Sequence, residues 1–208
     1  MEITKEIQRR IGNQDPIQLV PWARGYDEAL NRPNTVLFSV SRTAERNPRF
    51  HWVGPILEMT FSFYTRADAK VIIKNLGDAK KLNRIGVYHN DVRDTFLTQA
   101  GFRNLDRTNN NIQNFKKLMS GRIDAYASSP IQIEDEARAA GYKGSDVKEV
   151  FAFMRVQLYI VLSLGTPDAV IQDWSSAFAA MQKDGSYLAL FRRYYPKLPL
   201  PGRAIADF

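Results

Sequence analysis

Apolar positions along this chain follow two alternating patterns. Short runs rich in β-branched and aromatic residues, such as Val36 to Val40 and Arg84 to Tyr88, are typical of strands. Between such runs, apolar residues recur at helical spacing, most clearly at Ile171, Trp174 and Phe178. Strands that alternate with helices indicate an α/β architecture with mostly parallel sheets.

Glycine and proline mark further boundaries. Short strands are predicted at Ile17 to Trp22 and at Ala69 to Ile73. Gly54-Pro55 is expected to separate a strand at Phe50 to Val53 from another at Leu57 to Tyr64, because these two residue types favour turns.

Capping residues mark the helix ends. Met1 to Ile11 is predicted to form an amphipathic helix that stops at Gly12. Asp91 is expected to cap the helix that follows it. Thr166 is expected to cap a further helix that has Pro167 at its first position.

The segment from about Ile85 to Phe153 has the pattern of a self-contained βαβαβ unit, so the segments before and after it are expected to fold together. We therefore expect two lobes joined by two crossings. The first lobe would comprise residues 1–65 and 160–208, and the second residues 66–159. Clefts between lobes and at strand ends are favoured ligand sites.

Composition limits the classes of protein to consider. The chain has 208 residues, of which 44% are hydrophobic and 12% aromatic, as in a folded domain rather than a disordered one. The most apolar stretch, Val150 to Leu164, is interrupted by Arg155 and Gln157. It is also shorter than the roughly 20 residues that a membrane-spanning helix needs.

The charge is basic but dispersed. Lys and Arg number 29 against 22 Asp and Glu, which gives a net charge of +7. No run of five or more like charges occurs, whereas a nucleic-acid interface would cluster them. Nucleic acid is therefore not expected as a partner.

Several kinds of reactive site are disfavoured by residue type and spacing. The absence of cysteine excludes a thiol nucleophile and a cysteine-bound metal. His51 and His89 lack a second ligand at metal-binding spacing, so no metal is expected. Neither a glycine-rich phosphate loop nor a Gly-x-Ser-x-Gly motif is present, and no cofactor is expected.

A cluster after the strand at Val36 to Val40 has the chemistry of a carboxylate receptor. Arg46 offers a bidentate guanidinium, while Ser39 and Ser41 offer hydroxyl and backbone donors. The alternative is a capped turn that starts at Thr43 and leaves Arg46 in solvent. Spacing alone favours that turn.

Two other segments could contact a ligand. Asn90 and Asp91 lie where a strand meets a helix, and helix N-termini attract anions, although Asp91 is more simply a cap. Ser128 and Ser129 follow a strand that begins near Ile123, and the alternative for them is also a helix cap.

Aromatic residues add further candidates in the first lobe. Trp22 could stack on a ligand cation or ring, and Arg24 lies two residues later. Core packing of Trp22 and solvent exposure of Arg24 are equally compatible with the pattern. For Trp52, core packing is the favoured interpretation.

Taken in order, these segments resemble the family-3 extracellular solute-binding proteins, the periplasmic receptors of polar amino-acid ABC transporters. The similarity spans essentially all of the chain, and its specificity lies in the order of the motifs. The matching residues are Ser39, Ser41, Thr43 and Arg46, then Phe50 and Gly54-Pro55, Leu76 to Leu82 before Ile85 to Val87, Leu118 to Asp124, and Asp184 to Tyr187.

The resemblance implies a two-lobe fold of the periplasmic-binding-protein type II class that closes on its ligand about a hinge, like a Venus flytrap. It implies that Arg46 holds a ligand carboxylate, with contacts from Ser39 and Ser41. Asn90 and Asp91 would reach the same carboxylate from the second lobe. The protein would bind an amino acid or related solute in the periplasm and deliver it to an ABC transporter permease.

Three features depart from the family pattern. Ser129 stands where the family often has an acid that binds an α-ammonium group, which puts a standard amino-acid ligand in doubt. Asp91 would repel a carboxylate unless it caps its helix or meets a ligand cation. The chain begins at a helix that a signal peptide and a first strand normally precede, so we expect an N-terminally incomplete first lobe. Chain pairing or dimerisation could then supply the missing strand.

Two alternatives to a transport receptor stay open. Members of this fold include dehydratases, so the chain could be an enzyme with Glu58, His89 or Asp91 as its acid or base. It could instead be a shortened remnant that binds nothing, or a basic interaction module. A receptor without catalytic residues is the preferred hypothesis.

Overall fold

The computed structural model describes residues 1–196 and 198–202. Within them the chain forms six strands and eight α-helices. The strands are β1 (Val36–Ser41), β2 (Phe50–Arg66), β3 (Ile85–Tyr88), β4 (Leu105–Thr108), β5 (Ala125–Ser128) and β6 (Val147–Ser163). The helices are α1 (Glu2–Ile11), α2 (Trp22–Asn31), α3 (Leu76–Ala79), α4 (Val92–Gln99), α5 (Asn111–Met119), α6 (Pro130–Ala140), α7 (Asp168–Lys183) and α8 (Ser186–Tyr194).

The chain divides into two compact units. Unit 1 comprises Met1–Glu58 and Val156–Phe208, and unit 2 comprises Met59–Arg155. The division falls inside β2 and inside β6, so each of these 17-residue strands contributes residues to both units. The chain therefore passes from one unit to the other twice. The predicted α/β, two-lobe fold class is confirmed.

In unit 1, β1 pairs antiparallel with β6, from Val36 opposite Leu162 to Ser41 opposite Leu158. Helices α1, α2, α7 and α8 belong to this unit. One buried cluster joins β1 and α2 with the strands β2 and β6, because apolar residues at alternate strand positions meet the apolar face of α2. Its buried members are Ala29, Val40, Phe50 and Val161.

In unit 2, β3 pairs parallel with β4 and β5, and β5 pairs antiparallel with β2. Helices α3 to α6 connect and cover these strands. The apolar side chains of the strands form two buried clusters. Phe63, Ile85 and Val87 lie in one, and Phe115 and Tyr126 lie in the other.

Two predicted strands are wrong. The segment 17–21 is outside the strands of the described chain, and Trp22 is the first residue of α2. Residues 69–73 also form no strand, and the Ala69 carbonyl at the start of this segment accepts from the Lys148 ammonium at 2.8 Å.

The predicted break at Gly54-Pro55 is also wrong, because β2 runs through it without interruption. Gly54 has a φ of 144°, a conformation open to glycine, and this lets the strand continue past the proline. The caps at Gly12 and Asp91 are confirmed. Thr166 is not a cap, since its hydroxyl lies 3.0 Å from the Ser163 hydroxyl and α7 begins after Pro167.

Two features are absent from the residues that the structure describes. None of their helices has the length and apolar content needed to cross a bilayer. They also hold no group of three or more His, Asp or Glu side chains arranged to bind a metal ion.

Candidate functional site

The end of β1 shapes the candidate site in unit 1. The register with β6 shifts between Phe38 and Val40, and Ser39 at the shift has a φ of 64° and an exposed side chain. Such a bulge bends a strand and re-aims the residues beyond it. A turn follows, in which the Arg46 amide donates to the Thr43 carbonyl at 3.1 Å. The predicted turn at Thr43 is therefore present.

Arg46 does not point into solvent, in contrast to the simplest expectation for that turn. Its side chain is 7% exposed, and its guanidinium carbon lies 5.3 Å from the Trp22 ring centre and 5.1 Å from that of Tyr26. One guanidinium nitrogen donates a long bond of 3.4 Å to the Ser41 carbonyl. Within the described residues, no carboxylate forms an ion pair with Arg46.

The rings beside Arg46 belong to a longer series, which we call the aromatic row. Successive ring centres lie between 5.5 and 5.9 Å apart, in stacked or edge-on geometry. Such contacts add to the stability of a buried face. In order, the members of the aromatic row are Trp22, Tyr26, Phe50, Trp52 and Tyr159.

Arg42 lies at the other end of the aromatic row and was not singled out from the sequence. Its guanidinium carbon is 5.4 Å from the Trp52 ring centre and 5.7 Å from that of Tyr159. Its Nε donates to the Asn47 side-chain oxygen at 2.8 Å. An arginine after a strand normally reads as a solvated residue, so only the tertiary contact with Trp52 and Tyr159 reveals this position.

The other predicted residues of unit 1 occupy different surroundings. Ser41 is buried and Ser39 is exposed, both near Arg46 in sequence. Arg24 is largely exposed and donates to the Glu28 carboxylate at 2.9 Å. The structure therefore brings Trp22 and Ser41 to Arg46, and it gives Arg24 an ion pair along its own helix.

Arg24 also borders a groove of about 750 Å³ in unit 1. The groove runs beside β1, which pairs with β6 alone among the described strands, and Ile17, Val20 and Leu37 contribute apolar walls. An unpaired strand edge is a place where a further strand can add. The pairing or dimerisation expected from the sequence stays a prediction.

In unit 2, the residue that caps α4, Asp91, is itself an acid. Asp91 accepts from the amides of Arg93 and Asp94 at 2.8 and 3.1 Å, as an N-cap does. The Arg93 guanidinium, which is 3% exposed, donates to Asp91 at 2.6 Å and to the Ala127 carbonyl at 2.9 Å. Asn90 has an exposed side chain, and its amide donates to the Asp94 carboxylate at 3.0 Å. A ligand contact from Asn90 or Asp91 stays a prediction.

Ser129 has the capping role that the sequence offered as its alternative. Its hydroxyl accepts from the Gln132 amide at 3.3 Å at the start of α6, and the side chain is fully buried. The neighbouring Ser128 hydroxyl donates to the carboxylate of Glu136 at 3.0 Å. No sequence motif marks Glu136, because its contact joins Ser128 at the end of β5 to the middle of α6.

Glu136 should limit the stability of unit 2 at neutral pH. Burial raises the pKa of its carboxyl, while the nearby Arg93 guanidinium opposes that shift. The folded chain then has its full stability below the ordinary pKa of about 4.3 and loses part of it as pH rises through the raised value. We expect Glu136→Gln to raise the melting temperature at neutral pH by a few degrees, given about 2–4 °C per kcal/mol.

Thermal melts of both proteins between about pH 4 and pH 8 test this expectation. The gain should shrink toward acid pH, where the wild-type carboxyl is already protonated. Glu134→Gln, an exposed change on the same helix, is the matched control and should have little effect. A gain that is equal at every pH would contradict the role of the Glu136 charge.

The three residues considered as the acid or base of an enzyme have different surroundings. His89 is exposed, and Asp91 is engaged with Arg93 as described. Glu58 is buried and accepts from the Gln157 side-chain amide at 3.1 Å. The carboxylates of Asp91 and Glu58 therefore each bind a residue outside this group of three.

Comparison with known proteins supports the fold. No protein-family model matches the chain, and no curated protein does. Among solved structures, one described as "Crystal Structure of a Histidine Kinase Sensor Domain with Similarity to Periplasmic Binding Proteins" has a TM-score of 0.85 at 17% identity, covering 96% of this chain and 86% of that one.

Two amino-acid-binding proteins are similar as well. "An ancestral arginine-binding protein bound to arginine" has a TM-score of 0.80 at 18% identity, over 93% of this chain and 86% of that one. "Crystal structure of the substrate binding protein of an amino acid ABC transporter" has a TM-score of 0.78 at 15% identity, over 94% and 86%. The chain therefore has a periplasmic-binding-protein-like fold, and the predicted resemblance is confirmed at the level of the fold.

Proposed function

We propose that this chain is a solute-binding protein of an amino-acid-type ABC transporter, and that it binds a small carboxylate-bearing solute through Arg46. The observation that carries the proposal is a guanidinium only 7% exposed with no carboxylate partner in the described part of the chain. Burying a charge is costly unless an opposite charge or hydrogen bonds compensate it. A ligand carboxylate would supply two charge-assisted hydrogen bonds to the guanidinium fork.

The surroundings of Arg46 suit this role. The ring centres of Trp22 and Tyr26 lie 5.3 and 5.1 Å from the guanidinium carbon, and these rings hold the group in place without neutralising it. The turn that begins at Thr43 fixes the backbone that bears it. A preorganised cation costs little to order when the anion arrives.

The similar structures support the wider role. They include a protein described as the substrate-binding protein of an amino-acid ABC transporter. A protein of this kind would work in the periplasm and pass its solute to a membrane permease. A role as a receptor, with no turnover of the solute, follows from this assignment.

A thermal-shift screen of amino acids, small carboxylates and polyols tests the binding site. At about one hundred times its dissociation constant a true ligand stabilises the fold by about 2.7 kcal/mol, or about 5–10 °C. The shift should disappear in Arg46→Ala. Arg49→Ala removes an exposed arginine three residues later and should keep the shift.

The outcomes separate the alternatives. A cooperative melt that no compound shifts would overturn the proposal and favour a remnant that binds nothing. Conversion of the stabilising compound, followed by NMR of the incubated mixture, would favour the enzyme instead. A shift that survives Arg46→Ala would move the site away from Arg46.

A further inference from the structure

We infer that the solute carries two acidic groups, and that Arg42 receives the second while Arg46 receives the first. The inference rests on the proposed function and names the substrate class of that site. Its starting point is that the structure places two guanidiniums, not one, on the aromatic row of unit 1. The similar structures include an arginine-bound protein, so a doubly acidic solute would be a different ligand class.

Arg42 has the features of an anion receptor. Its guanidinium donates to a neutral acceptor, the Asn47 side-chain oxygen. In the residues that the structure describes, it forms no ion pair with a carboxylate. The Trp52 and Tyr159 rings hold the flat group without cancelling its charge.

The two guanidiniums share one supporting surface. Tyr26, under Arg46, contacts Phe50, and Phe50 contacts Trp52, under Arg42. The Arg46 guanidinium also reaches the Ser41 carbonyl, which belongs to the peptide unit that leads into Arg42. A solute bound at Arg46 therefore lies beside the turn that carries Arg42.

A chain of hydrogen bonds holds Tyr159, whose ring contacts the Arg42 guanidinium. The Tyr159 hydroxyl donates to the Gln157 side-chain oxygen at 3.0 Å, and the Gln157 amide donates to Glu58 at 3.1 Å. Burial raises the pKa of the Tyr159 phenol, and the Arg42 guanidinium partly opposes this shift. The phenol therefore stays neutral and does not balance the positive charge of Arg42.

The nearby acids are engaged with other partners. Glu45, in the same turn, lies 3.7 Å from Arg49, and Glu28 on α2 accepts from Arg24 at 2.9 Å. Among the residues that the structure describes, this end of unit 1 thus has two guanidiniums without a carboxylate partner. A guanidinium fork matches the two oxygens of a carboxylate, so a small dicarboxylate fits the pair.

Isothermal titration with matched acids tests the inference. Glutarate is compared with glutaramate, and L-glutamate with L-glutamine, because each pair differs only by a carboxylate replaced with an amide. Succinate and adipate vary the spacing of the two acids. We expect the best diacid to bind at least about tenfold more tightly than its monoamide, since one charge-assisted bond pair is lost.

Variants assign that preference. Arg42→Gln should remove the tenfold preference and leave the affinity for the monoamide within about twofold, whereas Arg46→Ala should abolish binding of both. Arg42→Lys keeps the charge and should keep part of the preference, which distinguishes lost charge from lost folding.

The two hypotheses fail differently. If monoamides bind as tightly as diacids, or if Arg42→Gln keeps the preference, the second acidic group is wrong while the role of Arg46 stands. If no acid binds in an Arg46-dependent way, the proposed function fails, and this inference fails with it.

Discussion

Arg93→Met is expected to destabilise unit 2 by about 3–5 kcal/mol. Arg93 is 3% exposed and donates to Asp91 at 2.6 Å and to the Ala127 carbonyl at 2.9 Å. Methionine fills a similar volume but leaves the mostly buried Asp91 carboxylate without its cation. An uncompensated buried charge costs far more than the pair itself contributes.

Urea unfolding of a double-mutant cycle tests the mechanism. Asp91→Asn keeps an N-cap, because asparagine caps helices about as well as aspartate, but it removes the charge. The double variant Arg93→Met with Asp91→Asn should therefore recover much of the stability that Arg93→Met loses. Strong positive coupling between the two changes is the expected signature.

Arg66→Met is the matched control for this cycle. The Arg66 guanidinium pairs with Asp68 at 3.1 Å, but that aspartate is largely exposed. Exposed ion pairs contribute little, so its loss should stay below about 1 kcal/mol. Equal losses for Arg93→Met and Arg66→Met, or a double variant as unstable as Arg93→Met, would contradict the buried-charge explanation.

This region shows what sequence reasoning can reach. The cap at Asp91 is predictable, because capping depends on residue types within a few positions. The partner of its carboxylate is also only two residues away, yet the burial of Arg93 depends on β5 and on Phe61, whose ring centre lies 5.2 Å from the guanidinium. Local patterns do not carry that information.

The fold shows the same division between local and tertiary information. The alternation of strands and helices predicted the α/β class, and the order of motifs predicted the two-lobe fold. The segment 17–21 has strand-like composition, but no described strand pairs with it. Gly54-Pro55 looks like a turn by composition and lies within the continuous strand β2.

The candidate site was predictable in its type more than in its extent. Hydroxyl residues and a guanidinium after a strand end made Arg46 a candidate, although spacing alone favoured a turn that leaves it in solvent. Arg42 stands in the same segment, but its position over the rings depends on Tyr159, which is more than a hundred residues away in sequence and pairs with Val40 in the sheet. The aromatic row becomes visible only when the strands are assembled.

Gly54→Ala is expected to destabilise unit 1 by about 3–5 kcal/mol and to weaken binding of a diacid. Gly54 has a φ of 144°, a region that side chains other than glycine rarely adopt. A methyl group there would lie 2.9 Å from Cδ1 of Tyr159 and 3.0 Å from the amide nitrogen of Ile56. The backbone cannot yield easily, so the Tyr159 ring must move.

Movement of Tyr159 links this prediction to the site, because that ring supports the Arg42 guanidinium at 5.7 Å. Gly12→Ala is the matched control, since Gly12 also has a positive φ, of 69°, but a methyl group there meets nothing within 4 Å. It should cost only about 1–2 kcal/mol and leave ligand affinity unchanged. Thermal melts and diacid titrations of both variants are the measurements. Equal losses of stability for the two variants would mean that Gly54 is needed only for its backbone conformation. The contact with Tyr159 would then not be the cause.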